Sequence, residues 1–298
     1  MVPAMTKRFI VGIPTVGRAE ILARTVARLE AQTRLPDLVL VSVAEDADAA
    51  ALDGIDTPFP VRVLTGPKGA TFQRNRILAE CRRDDILLLI DDDFLLAPDY
   101  IAQTLRLFDR HPDAALLTGT VLFDGILGPG LDHPGGDARL AEGLTRPAED
   151  TLTPRLSGYG CNMALRMAPV LDHGLTFDEA LPLYSWLEDV DFSARLRPHG
   201  RVLRAGAMRG VHLGTKAGRT PGVRLGYSQV VNPVYLRRKG TMGRKHARDM
   251  ILRALASNGL RSLRPPPWVD YRGRFRGNLL ALADLVRGRA APDRILNL

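Results

Sequence analysis

The run Ile86-Leu87-Leu88-Leu89-Ile90, followed at once by Asp91-Asp92-Asp93-Phe94, constrains this chain more than any other segment. Consecutive large aliphatic residues of that kind read as a strand buried on both faces, as in a parallel sheet covered by helices. Adjacent carboxylates cannot extend the strand inside a core, because an unpaired buried charge carries a large desolvation cost. The strand therefore ends at Asp91 and presents its acids at the carboxyl edge, where open α/β sheets bind ligands. Carboxylates crowded there favour a divalent cation, Mn²⁺ or Mg²⁺, with a phosphorylated substrate. A solvated acidic turn is the plainer alternative.

Strands and helices alternate around this motif. Phe9 to Pro14 reads as a first strand, and Ala19 to Gln32 as a helix with Ile21, Leu22, Val26 and Leu29 at helical spacing. Leu38 to Ala44 and Val61 to Leu64 read as further strands, Phe72 to Cys81 and Pro98 to Phe108 as helices. The order predicts an α/β fold with a mostly parallel sheet and helices on both faces. Phe123 to Arg155, rich in Gly and Pro, reads as one long surface loop. Leu225 to Lys239, Arg244 to Ala256 and Asn278 to Gly288 read as helices, with Pro265-Pro266-Pro267 between the last two.

At 298 residues and 45% hydrophobic, the chain can form one large α/β domain plus an appendage. Two cysteines give neither a disulfide framework nor zinc spacing, which fits a reducing cytoplasm. The first apolar stretch runs into Gly12-Ile13-Pro14-Thr15, as a strand does and a signal peptide does not. No run approaches the roughly eighteen apolar residues of a membrane span. The expectation is a cytoplasmic protein, soluble or peripheral at the inner face of the membrane. Residues 237–298 carry 15 Lys and Arg against 4 Asp, a net of +11, while residues 1–236 are at −3. The division expected is a catalytic domain over 1–236 and a basic helical extension over 237–298. Such a charge asymmetry points to a partner for the extension.

Further clusters accompany the aspartates. Gly69-x-x-x-x-Arg74-Asn75 opens a helix, where Arg74 can reach phosphate or hold the acids. Glu188-Asp189-x-Asp191 opens another, and Asp189 at its start is a candidate general base beside the helix dipole. His212, at a strand end, can complete a metal shell begun by carboxylates. Lys216 and Arg219, between Gly214 and Gly222, can close over a diphosphate and stabilise its charge on departure. Each has a plain structural alternative: surface arginine, capped helix, core histidine, solvated loop.

The order of the motifs resembles that of family-2 glycosyltransferases over about residues 8–240. Ile13-Pro14-Thr15 is followed by Gly69 through Arg74-Asn75, then Asp91-Asp92-Asp93, Gly160-Cys161-Asn162-Met163-Ala164 with Arg166, and Glu188-Asp189-x-Asp191. The resemblance implies a GT-A (Rossmann-like) fold that moves a sugar from a nucleotide diphosphate to an acceptor hydroxyl. It implies Thr15 and Asp46 beside the base, Arg74 near the nucleotide or the acids, and Asp91 at the ribose, with Asp92 on the donor side. It implies Asp93 at the cation, with His212 a further ligand. Asp189 would be the base of an inverting reaction, with Glu188 and Asp191 supporting the acceptor or the base, and Cys161, Asn162 and Trp186 would lie on the acceptor side. Val43-Ala44-Glu45-Asp46 replaces the family's Asp-Asp-x-Ser, so the nucleotide base is left open. Cell-surface polysaccharide or glycolipid synthesis, on a carbohydrate or lipid-linked acceptor, is the implied setting.

Other classes fit less well. A nucleotidyltransferase acting on a sugar phosphate wants a Gly-rich, Lys-containing loop after the first strand, and Gly12 to Arg18 is a poor version. An aspartyl phosphatase wants a threonine that Asp91-Asp92-Asp93-Phe94-Leu95 lacks. A nucleic-acid-binding protein could use Trp268, Tyr271 and Phe275 among the tail arginines, but this leaves the acids unexplained. The tail's other expected partners are an anionic membrane surface or, as a homodimer, a second copy of the chain.

Overall fold

The computed structural model describes residues 7–216 and 221–298. In chain order the elements are β1 (Phe9–Pro14), α1 (Ala19–Arg28), β2 (Leu38–Val43), β3 (Val61–Thr65), α2 (Ala70–Leu78), β4 (Ile86–Ile90), β5 (Phe94–Leu96) and α3 (Tyr100–Arg110). They continue with β6 (Ala114–Asp124), α4 (His133–Leu144), β7 (Leu152–Pro154), β8 (Asn162–Arg166), α5 (Met167–Asp172), α6 (Glu188–Leu196) and β9 (Arg201–His212). The chain closes with α7 (Gly222–Lys239), α8 (Arg244–Ser262) and α9 (Tyr271–Val286).

One sheet, ordered β3-β2-β1-β4-β8-β6-β9-β5, runs through the molecule, with β7 also on β9. The β3-β2-β1-β4 half is wholly parallel, and β6 pairs β9 in parallel. Around β6 and β9, strands β8, β5 and β7 run antiparallel. Alternation along β4 shows why that strand had to be apolar throughout. Ile86, Leu88 and Ile90 enter one core with Leu22 and Val26 of α1 and Phe108 of α3. Leu87 and Leu89 enter the opposite core with Ile77 of α2 and Phe192 of α6. Each such side chain, when fully buried, contributes roughly 1.5–3 kcal/mol.

Phe123–Arg155 is not the single loop its composition suggests. It holds the end of β6, the whole of α4 and β7. Despite three glycines, α4 forms because Asp132 caps the Gly135 N–H at 2.8 Å and Pro134 sits in the first turn. Leu140 then packs on Leu95, Val211 and Leu213.

The three C-terminal helices pack on one another and on the body. Tyr227, Val230 and Val231 of α7 meet Ala281 of α9 in one cluster. Leu236, Met242 and Ala247 close a second against Leu181 and Leu187. The expected division after residue 236 falls inside α7, and contacts with the body continue beyond it. Among the described residues no helix is long and apolar enough to cross a membrane.

Candidate active site

A cleft of about 490 Å³ opens at the carboxyl ends of β1 and β4. Asp91 lines it, and the three acids following β4 take three different courses. Asp92 is buried and turns back to β1, accepting from Thr15 Oγ1 at 2.5 Å and Arg18 at 2.8 Å. Burial pushes its carboxyl up to about 7 against the pull of Arg18. Asp93 points to β9, where its Oδ2 accepts the Thr215 N–H at 2.7 Å. Burial works to raise Asp93, but His212 and Arg18 outweigh it and hold this carboxyl below the usual range.

Asp91, Asp93 and His212 bring one ligand atom each within 4.8 Å of one another. Asp93 Oδ1 is buried with no hydrogen bond, 3.3 Å from His212 Nε2. On the far side of the ring, His212 Nδ1–H donates to Asp124 Oδ1 at 2.9 Å. That bond leaves Nε2 for the acids, the carboxylate–histidine arrangement that orients a metal ligand. Burial opposes a charged His212, yet Asp124 and Asp93 lift its pKa to about 10. Two hard carboxylates, an imidazole and an orphaned buried oxygen suit a divalent cation such as Mn²⁺ or Mg²⁺.

The second acidic centre stands on α6. The turn before it places Leu183, Ser185 and Leu187 at φ of 59°, 54° and 76°. Non-glycine residues resist that region, and strain of this kind gathers at working sites. The turn is held because Leu183 O accepts the Ala70 N–H at 2.8 Å and Asn232 donates to Trp186 O at 2.8 Å. Gly69, capping α2 at φ 140°, meets the same turn. Asp189 consequently lines the cleft, its Oδ2 accepting the Gly160 N–H at 3.0 Å and its Oδ1 the Val190 N–H at 2.8 Å. A Cβ at Gly160 would come within 3.1 Å of Glu188 Oε1, a tight contact. Burial raises the Asp189 pKa, and Arg74 and the two N–H donors temper the rise. Glu188 is paired with Arg74, and burial still lifts it to about 8. Arg74 also donates to Gly160 O at 2.9 Å and to Asp91 at 3.3 Å.

The structure thus gathers Thr15, Arg74, Asp91, Asp92, Cys161, Trp186, Glu188, Asp189 and His212 around one cleft, with Asp93 behind it. It does not bring Asp191, Asn162, Asp46 or Lys216 to that lining. Asp191 is wholly buried, bonded to Arg195, to Lys239 at 2.8 Å and to Thr241 at 2.8 Å. Asn162 is spent inside the sheet, where its Oδ1 accepts from Gly119 N at 2.6 Å and Thr118 at 3.0 Å. Asp46 accepts from Thr65 at 2.8 Å at the exposed end of β2. Lys216 donates to the Gly125 and Ile126 carbonyls. Arg219 lies outside the described residues. Sequence reasoning missed Arg18, Asp124, Tyr159 (which donates to Asp124 at 2.7 Å) and Arg224, on the cleft wall from α7. Only Arg18, close after Thr15, carried a local signal.

A family model described as "Glycosyltransferase like family 2" matches residues 7–202. The chain belongs to glycosyltransferase family 2, and it is a glycosyltransferase. No curated protein matches it significantly. Among solved structures it is similar to S. aureus TarS 1-349 in complex with UDP-GlcNAc, with TM-score 0.58 and 16% identity over 97% of this chain and 82% of that one. It is similar to the mannosyltransferase PcManGT from Pyrobaculum calidifontis in complex with GDP-Man and Mn²⁺, with TM-score 0.56 and 14% identity over 95% and 87%. GalNAc-T7 with UDP, GalNAc and Mn²⁺ gives TM-score 0.57 and 14% identity over 97% and 56%. These likenesses show the fold, which is GT-A.

Proposed function

We propose that this glycosyltransferase transfers a sugar from a nucleoside diphosphate to an acceptor hydroxyl with inversion, using Asp189 as base and a divalent cation. The observation that carries the reading is the meeting of two acidic centres in one cleft, bridged by Arg74. One centre, Asp91, Asp93 and His212, has the donor set for a cation. When bound there, the cation neutralises charge that gathers on the departing diphosphate.

At the other centre the acceptor hydroxyl is a poor nucleophile until its proton is taken. Its oxygen bonds to the anomeric carbon as the bond from that carbon to the diphosphate oxygen breaks. The electron pair of the broken bond leaves with the diphosphate, and the proton passes to Asp189. The Gly160 and Val190 N–H groups fix that carboxylate. A raised pKa makes it a stronger base than an ordinary aspartate. Arg74 keeps Glu188 and Asp91 from repelling one another. Thr15, on the cleft wall, flanks the nucleotide base, which UDP or GDP would supply. Asp191 supports the base indirectly, and Cys161 and Trp186 face the acceptor, with Asn162 bracing that wall.

The setting is cell-surface polysaccharide or glycolipid synthesis at the cytoplasmic face of the membrane, with a carbohydrate or lipid-linked acceptor. A thermal-shift screen of UDP- and GDP-sugars with Mn²⁺, followed by turnover assays, tests the reading. A donor that stabilises the native state raises its apparent stability. Release of nucleoside diphosphate with inverted product is the expected result. A product that retains the donor's anomeric configuration, or undiminished turnover in excess chelator, contradicts it.

A further inference from the structure

We propose that the connection between α8 and α9 docks on an anionic lipid bilayer and sets the cleft beside the membrane surface. The apolar surface of α8 carries the argument. Leu252, Ala256, Leu260 and Leu263 recur at helical spacing along one face, and all are exposed, Leu260 and Leu263 by 74% and 73%. The rest of the helix does not explain them, since α8 buries only Ala247 and Asn258. Lys245, Arg248, Arg253 and Arg264 lie exposed beside this stripe. Pro265-Pro266-Pro267 then stiffens the connection and presents Trp268, 41% exposed.

Charge selects the occupant. Residues 237–298 hold 15 cations against 4 acids. A second copy using this face would set two such surfaces against each other, and like charges juxtaposed across an interface are costly. Single-stranded nucleic acid would engage the arginines but has no use for an aliphatic stripe. An anionic bilayer uses both, taking cations at its headgroups and Leu and Trp at the acyl boundary.

The placement of the tip gives the docking a consequence. Gly222, the first residue of α7, lies so close to Asp270 that a Cβ would strike its carboxylate. Pro221 and Arg224 beside it line the active cleft. The α8–α9 connection therefore stands at the cleft end of α7. A bilayer held at that tip brings a lipid-linked hydroxyl near Asp189 without diffusion through bulk water.

Flotation of the chain with vesicles of pure phosphatidylcholine, or of phosphatidylcholine mixed with enough phosphatidylglycerol to make the surface negative, tests this without any sugar donor. Failure here is thus separate from failure of the transfer reaction. Recovery is expected only with anionic vesicles and is expected to fall with added salt. Leu260→Ser/Leu263→Ser and Arg253→Glu/Arg264→Glu should each weaken it by about ten-fold or more, while circular dichroism stays unchanged because these side chains are exposed. Brominated acyl chains should quench tryptophan fluorescence in the native chain and lose most of that effect in Trp268→Phe. Equal recovery on neutral vesicles, no recovery on either, or unchanged binding by both double variants overturns the proposal. So does a dimer that Leu260→Ser/Leu263→Ser abolishes, or a preference for single-stranded oligonucleotide over anionic vesicles.

Discussion

Arg74 is buried in an ion pair with Glu188 and reaches Asp91 at 3.3 Å with its other terminal nitrogen, so one guanidinium joins the acids of α6 to those of β4. Burial alone would lower its pKa, yet Glu188, Asp91 and Asp189 together raise it. The side chain is held in the cleft wall by charge on both sides. Its planar fork is what allows two acids and the Gly160 carbonyl to be met at once.

Removing that fork leaves a buried carboxylate uncompensated. Arg74→Met should lower unfolding free energy by about 3–5 kcal/mol, the range for breaking one side of a buried pair. Arg74→Lys should recover part of the stability but not the activity, since an ammonium cannot span both acids. Urea unfolding beside turnover measures both effects. Native-like stability in Arg74→Met would show that the pair adds nothing.

The metal centre draws on a residue with no place in the cleft lining. Asp124 orients His212 from behind at 2.9 Å. Asp124→Asn should raise the Mn²⁺ concentration for half-activation by about 10–100-fold, the usual effect of losing such an outer partner. Asp93→Ala should abolish metal-dependent turnover. A metal titration of each variant decides it, and identical Mn²⁺ curves for native and Asp124→Asn protein would remove Asp124 from the centre.

What could be read in the sequence was local. The β4 run, the acids after it and the helical spacing of α1 each declare themselves within a few residues. Asp124 was not legible because it meets His212 only through the parallel register of β6 on β9, which pairs those two positions across the sheet. Helix geometry explains why Asp191 parts from Asp189, since residues two apart on a helix do not share a face. The helix α4 was hidden by its glycines, of which Gly136 lies close against the side chains of Leu213 and Leu95. Weak propensity there gave way to capping and tertiary fit.

The buried face of α6 has its own test. Asp191 ties it to Lys239 at the end of α7 and to Thr241 just past it, and Asp178 accepts from Lys239 and from Tyr235 at 2.8 Å. Asp191→Ala should cost about 3 kcal/mol, at the lower end for a buried pair because Lys239 is 26% exposed. Donor affinity should be unchanged, as Asp191 does not line the cleft. A loss of donor binding without loss of stability would place Asp191 in the site.

The pH profile tests Asp189 as base. Its pKa is raised above the ordinary aspartate value of 3.8, with burial as the largest cause. A base must be ionised to take a proton, so turnover should be lost as pH falls through that raised value and restored as pH rises. The acid limb of kcat/KM should therefore lie above the pH where an exposed aspartate titrates. Asp189→Asn retains the shape of the side chain but cannot accept the proton. Turnover should drop by about 10²–10⁴-fold, donor binding should persist, and the residual rate should lose that acid limb. An Asp189→Asn enzyme with the native limb and a near-native rate would assign the proton transfer to another group, with Glu188, lifted to about 8, the next to test.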